Sequence, residues 1–548
     1  MNNVCRIRTF IIFSIFILAY ICLIFNLFLI QIKNAKYFAQ LAYNQHNITV
    51  TTMPPRAPIL DRNKSPVTLN KESFSAFILP HKIEQPKELK LFLKNYFPNA
   101  LQRLKGSKNK FFMFLKRKLD QNEIDLIEKS GLEDIKILKE PSRFYPFDCM
   151  ATIIGITDID NNGLFGIEKE FNAQLAGTAT TFTLEKDARS GHFYFNKNLA
   201  VSGVTSNPIN LTIDKDLQFF ACQELHESIK KFEAKEGSVI IMNPDNGHIL
   251  CMVSYPEFNP NDTKQIDLEL TKNRAFSNCF EFGSVMKIFV ALAALEEGVV
   301  TTDELVDCEN KKETKVDGMH FTTVHPNGII PFSEVVENSN NIGMVKVAKK
   351  LGPKLYDHYI KIGFGKKIDI PLEGGQKGFV NHPKKWSKRS IISLSFGYEI
   401  TATLLQIANA YSIIANDGFE VKPELILNEK NNMTYKTNRL YSQKVIDEIK
   451  QILQNTVTKG TAKKAAIKNY TIMGKTGTGK LVIDGKYSNE KNIYSFVGIV
   501  QKDNYKRVIA VYIKESSLKN THYFYGSNVA APLFENIAEK LLIHDKII

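Results

Sequence analysis

No charged residue interrupts positions 9–32 (TFIIFSIFILAYICLIFNLFLIQI), and no second run of this kind is present further along. As a helix rising ~1.5 Å per residue, the segment is ~36 Å long, enough for a ~30 Å hydrocarbon core. It predicts one transmembrane helix, with residues 1–8 as a short inner tail carrying Arg6 and Arg8. A cleaved signal peptide is the alternative reading, but Gln31-Ile32-Lys33-Asn34 offers no small-residue cleavage site.

Beyond it the patterning changes. Residues 50–70 are rich in Pro and polar residues and predict extended chain. Residues 117–130 (KRKLDQNEIDLIEK) have helical spacing that stops at Gly131. Residues 209–221 read as a short strand and then an Asp-led helix entry. The apolar runs 237–242 and 248–253, joined by an Asn-Pro-Asp-Asn-Gly turn, predict a hairpin of buried strands. Residues 281–298 (EFGSVMKIFVALAALEEG) predict one helix, apolar on nearly every face and closed by Gly298. These features divide the chain into a region at 33–208 and a larger α+β domain at 209–548.

Two polar residues break the apolar helix, Ser284 and Lys287. Spaced i and i+3, they share a face. A serine hydroxyl needs a base to become a nucleophile, and a lysine serves as one once burial lowers its pKa. A second polar knot lies between two apolar stretches at 335–345, where Ser339-Asn340-Asn341 spells S-x-N. Alone it reads as a loop with a helix N-cap. A third stretch, MGKTGTGK at 473–480, reads either as a phosphate-binding loop or as a K-T-G strand. Leu481 stands where a phosphate loop needs Ser or Thr. Past Lys480 the chain reads as strand, loop, strand rather than helix: Leu481-Val482-Ile483, an Asp484-Gly485 turn, then 494–500. Lys475, Thr476, Gly477 and Thr478 are therefore the chemistry-bearing residues, with Gly474 and Gly479 keeping a substrate-facing strand edge clear.

Composition narrows the field. Apolar residues make up 44% of 548 residues, enough for a sizeable core. The net charge of +14 accompanies no nucleic-acid motif or aromatic-basic stripe, so no nucleic-acid partner is expected. The seven cysteines form no C-x-x-C pair and read as mostly free, buried thiols, with one bridge among them left open. His320 and His325 lie in a loop without ligand spacing, so neither a metal nor a cofactor is expected.

In this order, S-x-x-K, S-x-N and K-T-G resemble the signatures of penicillin-recognising serine acyl transferases. Further stretches resemble class B penicillin-binding proteins: RAPILDRN (56–63), RFYPFDCMATIIG (143–155), GLFGIEKEFNAQLAGT (163–178), SFGYEITATLLQIANAYSIIANDG (395–418) and GSNVAAPLF (526–534). Phe282 replaces a usual proline, Glu399 a usual glycine, and Ala402-Thr403 a usual Thr-Pro. The resemblance implies an antiparallel sheet flanked by helices, on an elongated pedestal (33–208) behind the anchor. It implies a serine-type peptidoglycan D,D-transpeptidase in a bacterial inner membrane, with the bulk of the chain extracytoplasmic. Ser284 would be the nucleophile, Lys287 its base, Ser339 a proton relay and Asn341 a substrate-amide ligand. Lys475, with the Thr476 and Thr478 hydroxyls, would bind the substrate carboxylate, and Gly477 would leave room for substrate to lie along the strand edge. Peptidoglycan stem peptides are the implied substrates and β-lactams covalent inhibitors, with a polytopic glycosyltransferase and other divisome membrane proteins as partners. SFGY at 395–398 resembles the septal type rather than the elongation type; a non-enzymatic β-lactam sensor or divisome scaffold is the reading from another class. Glu424 to Asn428 spells the E-x-x-L-N of a deacylating β-lactamase loop, but lies too far past Ser339 and is read as coincidence.

Overall fold

A computed structural model describes residues 3–52, 54–106, 112–186, 193–262, 266–427, 438–516, 518 and 524–547. Two compact units are present: Met1–Arg56 with Ala176–Asn207, and Ala57–Leu175 with Pro208–Ile548.

The first unit opens with helix α1 (Asn3–Phe28), which runs on into a single π turn at Leu29–Lys33. Cys5–Lys33 is long and apolar enough to cross a membrane (mean hydropathy 2.7), and none of it is buried within the protein. The helix starts before residue 9 because Arg6 and Arg8 are good helix formers at its exposed head. A second helix spans Ala35–His46. An antiparallel sheet joins Asn47–Thr52, Thr180–Lys186 and Phe193–Val201. Met53, within the expected extended stretch, lies outside the described residues.

The second unit contains a small sheet with Leu69–Ile78 between Met113–Lys116 and Lys136–Phe144. Three helices cover it around Ile78, Leu89, Leu93, Leu115 and Ile127. The helix expected over 117–130 begins at Gln121, because Asp120 and Glu123 form a reciprocal capping box there; Gly131 ends it in the left-handed conformation. Arg117 stays outside and pairs with Glu140 and Asp160. The expected motifs are structural joints. Asp61 accepts the backbone N–H groups of Asn63 and Ser65 (2.9 and 2.8 Å). Arg143 Nε donates to Glu168 Oε1 at 2.7 Å, with both side chains fully buried.

The larger part is built on helix α2 (Lys215–Phe232), capped by Asp214, and the hairpin of β1 (Ala234–Met242) and β2 (Ile249–Tyr255). Then come α3 (Lys287–Glu296), α4 (Asn341–Leu351) and α5 (Leu404–Ala415). β3 (Thr471–Ile483), β4 (Lys486–Lys502), β5 (Tyr505–Ser516) and α6 (Gly526–His544) complete it. The five strands form an antiparallel sheet in the order β2-β1-β5-β4-β3. Successive side chains of a strand face opposite sides. Accordingly Val239 and Ile241 enter the core with α2 and α6, while Ile240 and Met242 enter the core containing α3 and α5. The loop expected between 485 and 494 is instead part of β4, which pairs with β3 back to Ile483. Its polar residues belong to a two-stranded overhang, where pairing needs no buried face. All seven cysteines are free thiols; Cys222, Cys251 and Cys308 are buried.

Candidate active site

The single helix expected over 281–298 is two elements. Gly283–Met286 forms a tight 3₁₀ turn that delivers Ser284, and α3 begins only at Lys287. The cause is how closely this turn approaches β3, the edge strand of the sheet. A methyl group on Gly283 would stand 2.6 Å from the Thr478 carbonyl oxygen, one on Gly477 2.5 Å from that of Phe282, and one on Gly479 2.1 Å from that of Glu281. This corrects the sequence reading of the glycines. Gly479 does not keep space open for substrate: the protein's own backbone occupies it. Gly474 makes room for the ring of Phe496, 2.4 Å from where a methyl would sit.

Behind the turn, two lysines are fully buried. Lys287 Nζ donates to the Ser339 carbonyl oxygen (2.7 Å) and to Ser339 Oγ (3.1 Å). Lys475 Nζ donates only weakly to the Thr476 carbonyl (3.4 Å). Neither has a carboxylate partner among the described residues. Burial pushes both below the usual lysine range, Lys475 to about 7; Lys287 goes well down, first through burial and then through repulsion by Lys475. Ser339 holds a positive φ of 57°, rare for a residue with a side chain, which turns its hydroxyl and carbonyl towards one lysine. Asn340 caps α4 through the N–H groups of Ile342 and Gly343. That frees Asn341, whose Nδ2 donates to the Thr322 carbonyl (2.6 Å) while its Oδ1 has no partner.

These elements enclose a cleft of about 520 Å³ lined by Ser284, Ser339, Asn341, Thr476, Gly477 and Thr478. Lys287 and Lys475 lie beneath its wall. The structure thus brings all eight expected residues to one place. Thr478 Oγ1 accepts the N–H of Gly526, tying the strand to the start of α6 (3.1 Å). Sequence reasoning missed much of the rim: Val324, Phe396, Tyr398, Thr461, Phe524 and Tyr525. Thr461 faces Thr476 hydroxyl to hydroxyl at 3.5 Å. His325 also lines the cleft, whereas His320, expected in a loop, stands on the strand Met319–Thr322, exposed beside Glu313. Glu424 sits by His248, outside the cleft lining, and Asn428 lies outside the described residues.

Residues 237–539, over half of the chain, match the penicillin binding protein transpeptidase domain, and residues 51–205 match the penicillin-binding protein dimerisation domain. The chain belongs to the class B penicillin-binding proteins. A relative from Pseudomonas aeruginosa, the probable peptidoglycan D,D-transpeptidase PbpC, is 29% identical over 97% of this chain and 94% of its own. Peptidoglycan D,D-transpeptidase FtsI of Buchnera aphidicola is 32% identical over 80% of this chain and 76% of its own. Penicillin binding protein 3 of Mycobacterium tuberculosis, solved with aztreonam, has the same fold, with a TM-score of 0.67 at 24% identity over 91% of this chain and 98% of that one.

This penicillin-binding protein accommodates its departures locally. Phe282 is buried edge-on to Phe280 and Tyr512. Glu399 keeps a positive φ of 58°, the conformation that favours the usual glycine, while its N–H donates to Glu281 Oε1 (2.8 Å) and its carboxylate accepts from Asn381 (2.7 Å). Ala402 pairs its backbone with Phe280, and Thr403 caps α5 in a box with Gln406.

Proposed function

We propose that this chain is a membrane-anchored peptidoglycan D,D-transpeptidase that cross-links stem peptides through an ester on Ser284, in septal wall synthesis. The observation that carries the reading is Lys287: fully buried, without a carboxylate partner, and hydrogen-bonded to Ser339. Such an amine is held ready to be neutral and to accept a proton. Ser284 Oγ attacks the penultimate D-alanine carbonyl and gives its proton to Lys287. The C–N bond to the terminal D-alanine breaks, and Ser339 Oγ passes a proton to the leaving amine. An amine of a neighbouring stem then attacks the ester, forms the new amide and restores the Ser284 hydroxyl. The backbone N–H groups of Ser284 and Thr478 hold the oxyanion, an effect worth roughly 3–4 kcal/mol per donor. The unpartnered Asn341 Oδ1 accepts a substrate amide N–H. Lys475 binds the terminal carboxylate with the Thr476 and Thr478 hydroxyls; the approaching anion favours the lysine's charged form. β-Lactams acylate Ser284 as mimics of the D-alanyl amide.

In this reading residues 1–8 are cytoplasmic and the cleft extracytoplasmic, with a pedestal over 33–208 and the transpeptidase domain over 209–548; Arg6 and Arg8 ahead of the one long apolar helix support it. Several relatives named FtsI support the septal assignment, with a polytopic glycosyltransferase and other divisome proteins as partners. The test is labelling of the full chain with a fluorescent penicillin. Wild type labels covalently and Ser284→Ala does not; equal labelling of both overturns the catalytic reading. Restoration of septation in cells depleted of their septal enzyme tests the role, and restoration of rod elongation alone overturns it.

A further inference from the structure

Away from the cleft, one helix face gathers metal-binding side chains. Cys222 and His226 are four residues apart on α2, so both project from one face. Glu257, just past the end of β2, reaches the same point. Cys222 Sγ lies 3.9 Å from His226 Nε2 and 4.0 Å from Glu257 Oε1. His226 Nε2 is 2.6 Å from Glu257 Oε1. A second thiol, Cys149 on the turn Asp148–Met150, neighbours Cys222 but stands outside the group of Cys222, His226 and Glu257, whose donor atoms all lie within 4.8 Å of one another. We propose that Cys149, Cys222, His226 and Glu257 form a binding site for a divalent transition-metal ion of the zinc class.

The geometry fits such an ion. With usual zinc bond lengths, a tetrahedral site sets sulfur about 3.6 Å from either a nitrogen or an oxygen ligand, and nitrogen about 3.4 Å from oxygen. The two sulfur distances are already within a few tenths of an ångström. The His226–Glu257 pair must open by under an ångström, and the Cys149 thiol must swing in from outside this group to become the fourth ligand. Two thiols, an imidazole and a carboxylate are a donor set that favours zinc over the hard cations, which prefer oxygen alone. Cys222 is buried, while His226 and Glu257 are partly exposed and give an ion access. Binding releases the two thiol protons and takes His226 as neutral imidazole. A metal here clamps α2 to the turn at Asp148–Met150 and to the chain leaving β2. The rival fate of these thiols is a Cys149–Cys222 disulfide, which would remove both sulfur ligands.

The test uses the full chain in detergent, isolated from cells without reductant. Wild type is expected to carry one zinc per chain by elemental analysis. After chelation, cobalt(II) chloride should restore a thiolate-to-cobalt charge-transfer band and the visible bands of four-coordinate cobalt. Cys222→Ser and His226→Gln should each weaken cobalt binding by about 10- to 100-fold, with folding checked by circular dichroism; Cys279→Ser should not. If the variants fail to fold, the wild-type cobalt spectrum decides alone. Absence of those bands in wild type, binding unchanged in folded Cys222→Ser, or a Cys149–Cys222 disulfide in peptide maps each overturns the proposal.

Discussion

Arg143 and Glu168 are buried as deeply as Lys287 and Lys475, yet the two pairs are built on opposite principles. In the first, opposite charges meet at 2.7 Å, and each supplies what the other lost on leaving water. In the second, two amines of like sign lie under the cleft wall with no carboxylate partner among the described residues. Their answer to burial is to give up protons, which is why both are pushed down. The paired charges hold a joint between 143 and 168. The unpaired ones cost stability and, in the proposed mechanism, yield a base.

The sharpest way to break this comparison is Lys287→Met. Acylation by fluorescent penicillin should fall by about 10³-fold or more, while thermal unfolding shows a chain at least as stable as wild type. A clear loss of stability would mean that Lys287 is structural, like Arg143. Glu168→Ala should do the reverse. Leaving the Arg143 charge buried without its carboxylate should cost about 3–5 kcal/mol, read by denaturant unfolding, with the labelling rate of the folded fraction unchanged.

A pH series gives a smaller, signed effect. Lys475 titrates near 7 when folded, against the ordinary 10.5 when unfolded. Between those values the unfolded chain binds the extra proton, so stability should rise with pH. From about pH 7 to 9 the share of Lys475 should approach a slope of 1.4 kcal/mol per unit; below 7 both states hold its proton and that share is flat. Lys475→Met should remove its share of the slope, leaving that of Lys287, and abolish rapid acylation. The smallest effect is expected from Arg143→Met combined with Glu168→Leu. Replacing both charges should bring stability within about 2 kcal/mol of wild type, measured by the same unfolding curves.

Much of this was legible in the chain. The apolar helix, the β1–β2 hairpin and the Asp-led start of α2 arise from periodicity and caps, which are local. The three motifs pointed to the eight residues that the fold gathers at the cleft because their types and order are distinctive. The features that were not legible depended on neighbours distant in sequence. The 3₁₀ turn at Gly283 exists because β3 presses on it, and no window around residue 283 contains β3. The rim residues Thr461 and Phe524 carry no pattern of their own, and Tyr398, though part of SFGY, carries no mark of its place on the rim. The polar first half of β4 looked like loop because its pairing with β3 leaves no hydrophobic signature.

The glycine seam between the Ser284 turn and β3 has an evolutionary consequence. Positions 283, 477 and 479 tolerate no side chain, so selection to exclude an antibiotic has nothing to work with there. A lineage under such pressure is expected to change the rim, at Val324, Tyr398, Thr461 or Phe524, where side chains already differ in size and only the antibiotic's outer substituents need to be refused. The part of the cleft closest to the chemistry is the part least free to drift.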